Sequence, residues 1–103
     1  MRKLIKPIRF DWDESNLTKN YERHNVKWEE AENIFSNEPI TIKDDDVHSA
    51  SEKRYNALGK TQKGRKLFVV FTLRNDKVRI ISARDMSRKE RIIYEEVQED
   101  STI

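Results

Sequence analysis

The clearest pattern of hydrophobic and polar positions lies in the second half of the chain. Two apolar runs, Leu67–Leu73 and Val78–Ala83, flank the polar segment Arg74–Lys77. This arrangement predicts two β-strands joined by a tight turn. Both alternating sides of the first run are mostly apolar, which predicts a strand in the middle of a sheet that is covered on both faces.

The second of these strands carries two arginines. Regular alternation places Arg84 on the same face as Ser82 and places Arg79 on the opposite face. Arginine seldom enters a buried strand without a partner or a function. We therefore expect one arginine to be structural and the other to be available for a ligand.

The rest of the chain predicts an alternation of strands and helices. Ile8, Phe10 and Trp12 alternate with polar residues after Pro7, as in a half-buried strand. Two amphipathic segments then predict a helical hairpin whose break falls at Asn25, a residue that tolerates the left-handed conformation. The predicted elements are a strand at 7–12, helices at 13–24 and 27–36, strands at 40–42, 52–59, 66–73 and 77–84, and a helix from 87 to about 98.

The last helix carries a charged residue on its apolar stripe. Ser87 and Glu90 have the spacing of a capping box. Glu90 also falls on the stripe that faces the sheet, with Tyr94 at the edge of that stripe. A carboxylate in that position needs a cation from the sheet, and Arg79 and Arg84 are the candidates.

The fold class that these elements predict is α+β. The order is β-α-α-β-β-β-β-α, with a largely antiparallel twisted sheet packed by helices. At 103 residues we expect a single domain over 1–103, with a core at about 7–98 and a frayed tail at 99–103.

Positive charge is concentrated in one part of the chain. Residues 54–93 carry 12 Lys and Arg against 3 Asp and Glu, a net charge of +9, whereas residues 1–53 carry −3 and residues 94–103 carry −4. Such a concentration suits a phosphate chain. A solvated basic face, or one that meets an acidic protein, is the alternative.

Several classes of function are disfavoured by composition. The chain has no cysteine, two distant histidines and two glycines, so it has no zinc-finger pattern and no glycine-rich phosphate loop. Asp44–Asp46 lack the spacing of a calcium loop. With no apolar segment of membrane-spanning length, we expect a cytoplasmic protein with no membrane partner, no metal and no cofactor.

The remaining side chains suit metal-free cleavage of RNA through its own 2′-hydroxyl. That reaction needs a base, an acid and cations that stabilise the charge on phosphorus. Each candidate also has a structural reading: packing for His24 and Tyr94, solvent exposure for His48, Arg54 and Arg65, and pairing with Glu90 for Arg79 or Arg84.

Many short motifs in this chain together resemble the BrnT toxin family. The resemblance covers about residues 8–95. It rests on these segments: Phe10–Asp13, Asn20, Arg23–Val26, Trp28–Ala31, Asp46–Ser49, Arg54–Tyr55, Leu58–Gly59, Gly64–Arg65, Arg79–Arg84, Glu90–Arg91 and Tyr94.

The resemblance implies a RelE-like fold and a ribonuclease toxin of a type II toxin–antitoxin system. It implies metal-free cleavage of mRNA, inhibition of translation, and neutralisation by a BrnA-like ribbon-helix-helix antitoxin. We expect a heterotetramer that binds operator DNA through the antitoxin. The residues expected to serve catalysis are Arg79, Arg84, Tyr94 and His48; those expected to bind substrate are Arg54, Arg65, Ser82 and Arg91; those expected to support the site are His24, Asn20 and Glu90.

Two other hypotheses remain. The chain could be a catalytically inactive relative that serves as an antitoxin partner and corepressor. It could instead be a helix-turn-helix DNA-binding protein, but the first two predicted helices carry Glu22, Glu29, Glu30 and Glu32, and this acidic surface opposes binding to phosphates.

Overall fold

The chain contains two described helices and a four-stranded sheet. A computed structural model describes residues 8–12, 23–45 and 52–101. An α-helix over Trp28–Asn33 continues directly into a 3-10 helix, Ile34–Ser36. The elements are α1 (Trp28–Asn33), β1 (Thr41–Asp44), β2 (Arg54–Lys60), β3 (Lys66–Arg74), β4 (Lys77–Asp85) and α2 (Arg88–Ser101). The predicted α+β class is confirmed.

The sheet is an antiparallel meander in the order β1-β2-β3-β4. Phe10 forms a parallel bridge with Val78, so the segment 8–12 lies beside β4. Strand β3 lies between β2 and β4 and forms hydrogen bonds with both, so the prediction that it lies in the middle of the sheet is confirmed. Asn75 and Asp76 have φ values of 53° and 64°, which is typical of the two-residue turns that join twisted antiparallel strands.

One extra residue in β4 changes the phase of that strand. Val70 pairs with Ser82, but the next residue, Phe71, pairs with Ile80, so Ile81 is the extra residue of a β-bulge. Paired residues in an antiparallel ladder point to the same side. The expectation that Arg79 and Arg84 lie on opposite faces is therefore wrong: the bulge places both on one face.

The other face of the sheet, which we call the core face, holds most of the apolar core. Its β3 side chains Leu67, Val69 and Phe71 have no solvent exposure. They pack with Val26, Ala31, Ile34 and Phe35 from α1, the 3-10 helix and the segment before them. Gly59 permits this close packing, because a Cβ atom there would lie 2.8 Å from the Cβ of Ile34.

Helix α2 covers one end of the opposite face, which we call the basic face because Arg54, Arg79 and Arg84 belong to it. The apolar contact is small: Leu58, Met86 and Tyr94 are buried, and Phe68 and Ile93 pack against them. Ser87 caps the helix as predicted. Its amide donates to Glu90 Oε1 over 2.8 Å, and the Glu90 amide donates to Ser87 Oγ over 3.2 Å.

Several boundaries differ from the predictions. The predicted second helix is α-helical only to Asn33 and ends as a 3-10 helix. β1 extends to Asp44, into the predicted loop, because Lys43 and Asp44 pair with β2. Arg23 and His24 are helical and Asn25 has the predicted left-handed φ, 54°. Pro7, most of the predicted first helix, most of the 43–51 loop and the chain's last two residues lie outside the described ranges. None of the described helices is long and apolar enough to cross a membrane.

Candidate functional site

Three rows of side chains cross the basic face at right angles to the strands. The strand register defines the rows, because paired residues share a face. The row beneath α2 is Thr41, Leu58, Phe68 and Arg84; the middle row is Lys43, Asn56, Val70 and Ser82; the outer row is Arg54, Thr72 and Arg79. Neighbouring rows lie about 7 Å apart. Arg54 and Arg79 lie on strands that are two positions apart in the sheet, which corresponds to a total of about 10 Å.

Arg84 is held by the carboxylate of Glu90. Its Nη1 and Nη2 donate to Glu90 Oε1 and Oε2 over 2.8 and 2.9 Å, and its guanidinium lies 4.1 Å from the centre of the Phe68 ring. The Arg84 guanidinium, with the Ser87 amide, lowers the pKa of Glu90 despite its partial burial. Of the two arginines considered as partners for Glu90, Arg84 is the one that pairs.

Arg79 lies two rows away and meets a different carboxylate. Its Nη1 lies 3.5 Å from Oδ2 of Asp11, and the two side chains are 21% and 36% exposed. Thr72, which separates Arg79 from Arg54, is buried and donates its hydroxyl to the Lys53 carbonyl over 2.6 Å. The outer row is therefore a buried hydroxyl flanked by two half-buried arginines.

The middle row contains polar groups that sequence reasoning did not single out. Ser82 was predicted, but Asn56 beside Val70 was not. Within the part of the chain that the structure describes, the buried Oδ1 of Asn56 has no hydrogen-bond partner, and neither does the buried Oγ1 of Thr41 in the row beneath α2. The sequence signal was weak, because an isolated asparagine within an apolar strand has no distinctive spacing.

Tyr94 lies in the centre of the helix–sheet contact instead of at its edge. It is fully buried, and its hydroxyl donates to the Pro39 carbonyl over 2.7 Å. Burial raises the pKa of Tyr94. Glu90 and Tyr94 are four residues apart and share the face of α2 that meets the sheet. This geometry favours a structural role for Tyr94, and its catalytic role stays a prediction.

Arg65 lies at the end of the core face, apart from the three rows. Its guanidinium donates to Asp85 over 2.7 and 3.1 Å and to Glu30 over 3.0 and 3.1 Å. It also donates to the carbonyls of Asn25 and His24. The Asp85 carboxylate raises the pKa of Arg65 further above its already high value, and Arg65 in turn lowers the pKa of Asp85. This network joins α1, β3 and the end of β4.

The remaining predicted residues are not brought into the rows. Arg91 is exposed on α2, and His24 is exposed near the Arg65 network. His48 and Asn20 lie outside the described ranges. Across residues 8–12, 23–45 and 52–101, no group of three or more metal-binding side chains is placed to hold a metal ion.

Comparisons with known proteins identify relatives of this arrangement. The family model described as "ribonuclease toxin, BrnT, of type II toxin-antitoxin system" matches residues 12–90. The fold is similar to the 1.1 Å crystal structure of the Brucella abortus ribonuclease toxin BrnT, with a TM-score of 0.60 and 19% sequence identity. The match covers 79% of this chain and 99% of that chain. No curated protein sequence matches.

Proposed function

The chain belongs to the BrnT family of ribonuclease toxins of type II toxin–antitoxin systems, and we propose that it is an endoribonuclease that cleaves mRNA and so inhibits translation. The reaction is independent of metal ions and proceeds through the 2′-hydroxyl of the RNA. Residues 1–103 act as one domain, in the cytoplasm.

The observation that supports this proposal is the clustering of Arg54, Arg79 and Ser82 on the basic face. Two arginines about 10 Å apart match the requirement for several cations along a phosphate chain. Arg79 binds the scissile phosphate, because its forked guanidinium can stabilise the two oxygens that gain charge in the transition state. Arg54 holds a neighbouring phosphate, and Ser82 orients the bound strand.

The other predicted residues take secondary roles in this proposal. Arg84 shapes the site beneath α2, because Glu90 occupies both of its terminal nitrogens. His48 moves a proton, as its residue type suits. Arg65, Arg91, His24 and Asn20 remain predicted contacts or supports.

A BrnA-like antitoxin neutralises the protein. A partner that covers the basic face would prevent RNA from reaching the phosphate-binding arginines. Peptide segments commonly cover such faces as helices or added strands. The complex is a heterotetramer that binds operator DNA through the ribbon-helix-helix part of the antitoxin.

The test is cleavage of a total mRNA preparation in EDTA by the purified protein and by Arg79→Ala. Removing Arg79 is expected to lower the cleavage rate by about 10²- to 10³-fold, as loss of a group that stabilises transition-state charge does. Lys63→Ala is the matched control, because it removes one positive charge from an exposed turn outside the three rows.

Three results would count against the proposal. Equal rates for wild type and Arg79→Ala would remove Arg79 from the site. Equal losses in Arg79→Ala and Lys63→Ala would show a general charge effect. Cleavage only when Mg²⁺ is restored would contradict metal independence.

A catalytically inactive antitoxin partner is the second candidate. The observation that favours it is that Arg84, Arg65 and the Tyr94 hydroxyl all have intramolecular partners. Intact RNA together with tight binding to the protein encoded by the neighbouring gene would support this candidate over the ribonuclease.

A further inference from the structure

We propose that Asp11 is the general base that removes the proton from the 2′-hydroxyl of the RNA. This inference rests on the proposed ribonuclease function and adds a catalytic residue to it. Asp11 carries a carboxylate at the edge of the basic face, beside the arginine proposed to hold the scissile phosphate.

Backbone hydrogen bonds fix the position of Asp11. Its amide donates to the Val78 carbonyl over 2.9 Å, and the Val78 amide donates to the Arg9 carbonyl over 2.8 Å. The intervening Phe10 points into the core, where its ring centre lies 5.6 Å from that of Phe35. Successive side chains of an extended segment alternate, so Asp11 and Arg9 point to the side of the basic face.

The side chain of Asp11 extends the outer row beyond Arg79. Oδ2 is the oxygen that lies 3.5 Å from Nη1 of Arg79, and the carboxylate is 36% exposed. A phosphate bound by the guanidinium of Arg79 would have its ribose within a few ångströms of this carboxylate. A general base must lie within hydrogen-bond reach of the proton that it removes, and in this proposal the 2′-hydroxyl of that ribose lies within reach of Asp11.

A carboxylate at a phosphate-binding face calls for an explanation, because like charges repel. Glu90 has one: both of its oxygens accept hydrogen bonds from Arg84, and one also accepts from the Ser87 amide. The contact between Asp11 and Arg79 is longer, involves one oxygen and is partly exposed. Asp11 therefore has the looser pairing and the greater access to a substrate proton.

The proposed step balances without a metal or a cofactor. The 2′-hydroxyl proton moves to the Asp11 carboxylate, and the 2′-oxygen forms a bond to phosphorus. The bond from phosphorus to the 5′-oxygen breaks, and that oxygen takes a proton from a water molecule. The hydroxide that this leaves takes the proton from Asp11, so the carboxylate is restored. The products are a 2′,3′-cyclic phosphate and a 5′-hydroxyl.

Asp11→Asn separates this role from simple alignment of Arg79. Asparagine keeps a side-chain oxygen that can accept from Arg79, but an amide is not a base at neutral pH. We expect Asp11→Asn to bind RNA made entirely of 2′-O-methyl nucleotides, which resists cleavage, as tightly as wild type. We expect its cleavage rate on ordinary RNA to fall by about 10²-fold or more.

The outcomes distinguish this inference from the function on which it rests. If wild type and Asp11→Asn cleave equally, Asp11 is not the base although the protein is a ribonuclease. If wild type cleaves no RNA, the proposed function fails and the inference fails with it. A loss of binding to 2′-O-methyl RNA that equals the loss of cleavage would assign Asp11 to substrate binding.

Asp11→Glu covers the case in which the asparagine variant unfolds. Glutamate retains a carboxylate on a longer side chain, so this variant is expected to cleave faster than Asp11→Asn, and thermal denaturation checks that each variant is folded. Equal losses in both variants, with both folded, would overturn the assignment.

Discussion

The two faces of the sheet are stabilised in different ways. On the core face, fully buried side chains such as Leu67 and Phe71 pack against the 3-10 helix with ring contacts, for example 5.2 Å between the centres of Phe35 and Phe71. On the basic face, α2 has one small apolar cluster and is joined to the sheet by Arg84–Glu90 and Lys66–Glu95 ion pairs.

Most of the stability comes from the core face, whereas the proposed chemistry belongs to the basic face. Burial of apolar area supplies most of the folding free energy, and partly exposed ion pairs add little. A face that binds a phosphate chain keeps its cations accessible, so it is not closed by an apolar layer. The core face therefore supports the sheet, and the smaller apolar contact on the described part of the basic face is compatible with the phosphate-binding role proposed for it.

The largest expected effect is on the core face. Phe71→Ala removes a ring that packs between Phe35 and Tyr55, and we expect the free energy of unfolding to fall by about 3–5 kcal/mol. Phe68→Ala on the half-buried basic side is the matched control, with an expected loss of about 1–2 kcal/mol. Urea denaturation measures both losses, and equal losses would show that the two faces contribute equally to stability.

Glu90→Gln tests the ion pair beneath α2. The variant loses a charged acceptor for Arg84, and we expect a loss of about 1 kcal/mol, limited by solvent screening at the partly exposed Arg84. Because Arg84 lowers the pKa of Glu90 in the folded state, the carboxylate stabilises the fold above its unfolded pKa of about 4.3. That contribution is lost as pH falls through the lower folded value.

The difference in unfolding free energy between wild type and Glu90→Gln is therefore expected to be largest near pH 7 and to disappear as pH falls below about 4. Urea denaturation at a series of pH values measures it. A difference that stays constant down to pH 2 would show that the charge of Glu90 contributes nothing.

The smallest effect is expected at the exposed end of the same helix. Lys66 Nζ lies 2.7 Å from Glu95 Oε1, and this contact lowers the pKa of Glu95. Exposed pairs often contribute nothing measurable, so we expect Lys66→Ala to leave the urea midpoint unchanged. A clear drop that persists in 1 M salt would show that ion pairs hold α2 more firmly than the comparison implies.

Local patterns predicted most of the fold. The alternation of Leu67–Leu73 identified the central strand, Asn25 ended a helix, and Ser87 with Glu90 marked the start of α2, because each depends on neighbours in sequence. The family recognised from short motifs is confirmed by the match over residues 12–90. The finer RelE-like order of elements remains a prediction.

The candidate site was harder to predict because it depends on phase and on distant partners. A bulge at Ile81 has no strong sequence signal, so regular alternation wrongly predicted that Arg79 and Arg84 lie on opposite faces. Arg65 contacts Glu30 and His24, which are 35 and 41 positions away in the sequence. The Tyr94 hydroxyl donates to a carbonyl that is 55 positions away. No spacing rule encodes such contacts.

The bulge at Ile81 links the spacing between Arg79 and Arg84 along β4 to the face on which they lie. The extra residue reverses the alternation of side chains along the strand. Arg79 before it and Ser82 and Arg84 after it therefore point to the same face. A deletion of one residue between Arg79 and Ser82 would remove the bulge and leave both side chains on the basic face, because residues two apart share a face in a regular strand. Loss of the bulge at unchanged length would instead turn Arg79, with its positive charge, toward the apolar core. Relatives with both arginines on the basic face are therefore expected to have either this spacing with a bulge or a spacing one residue shorter without a bulge.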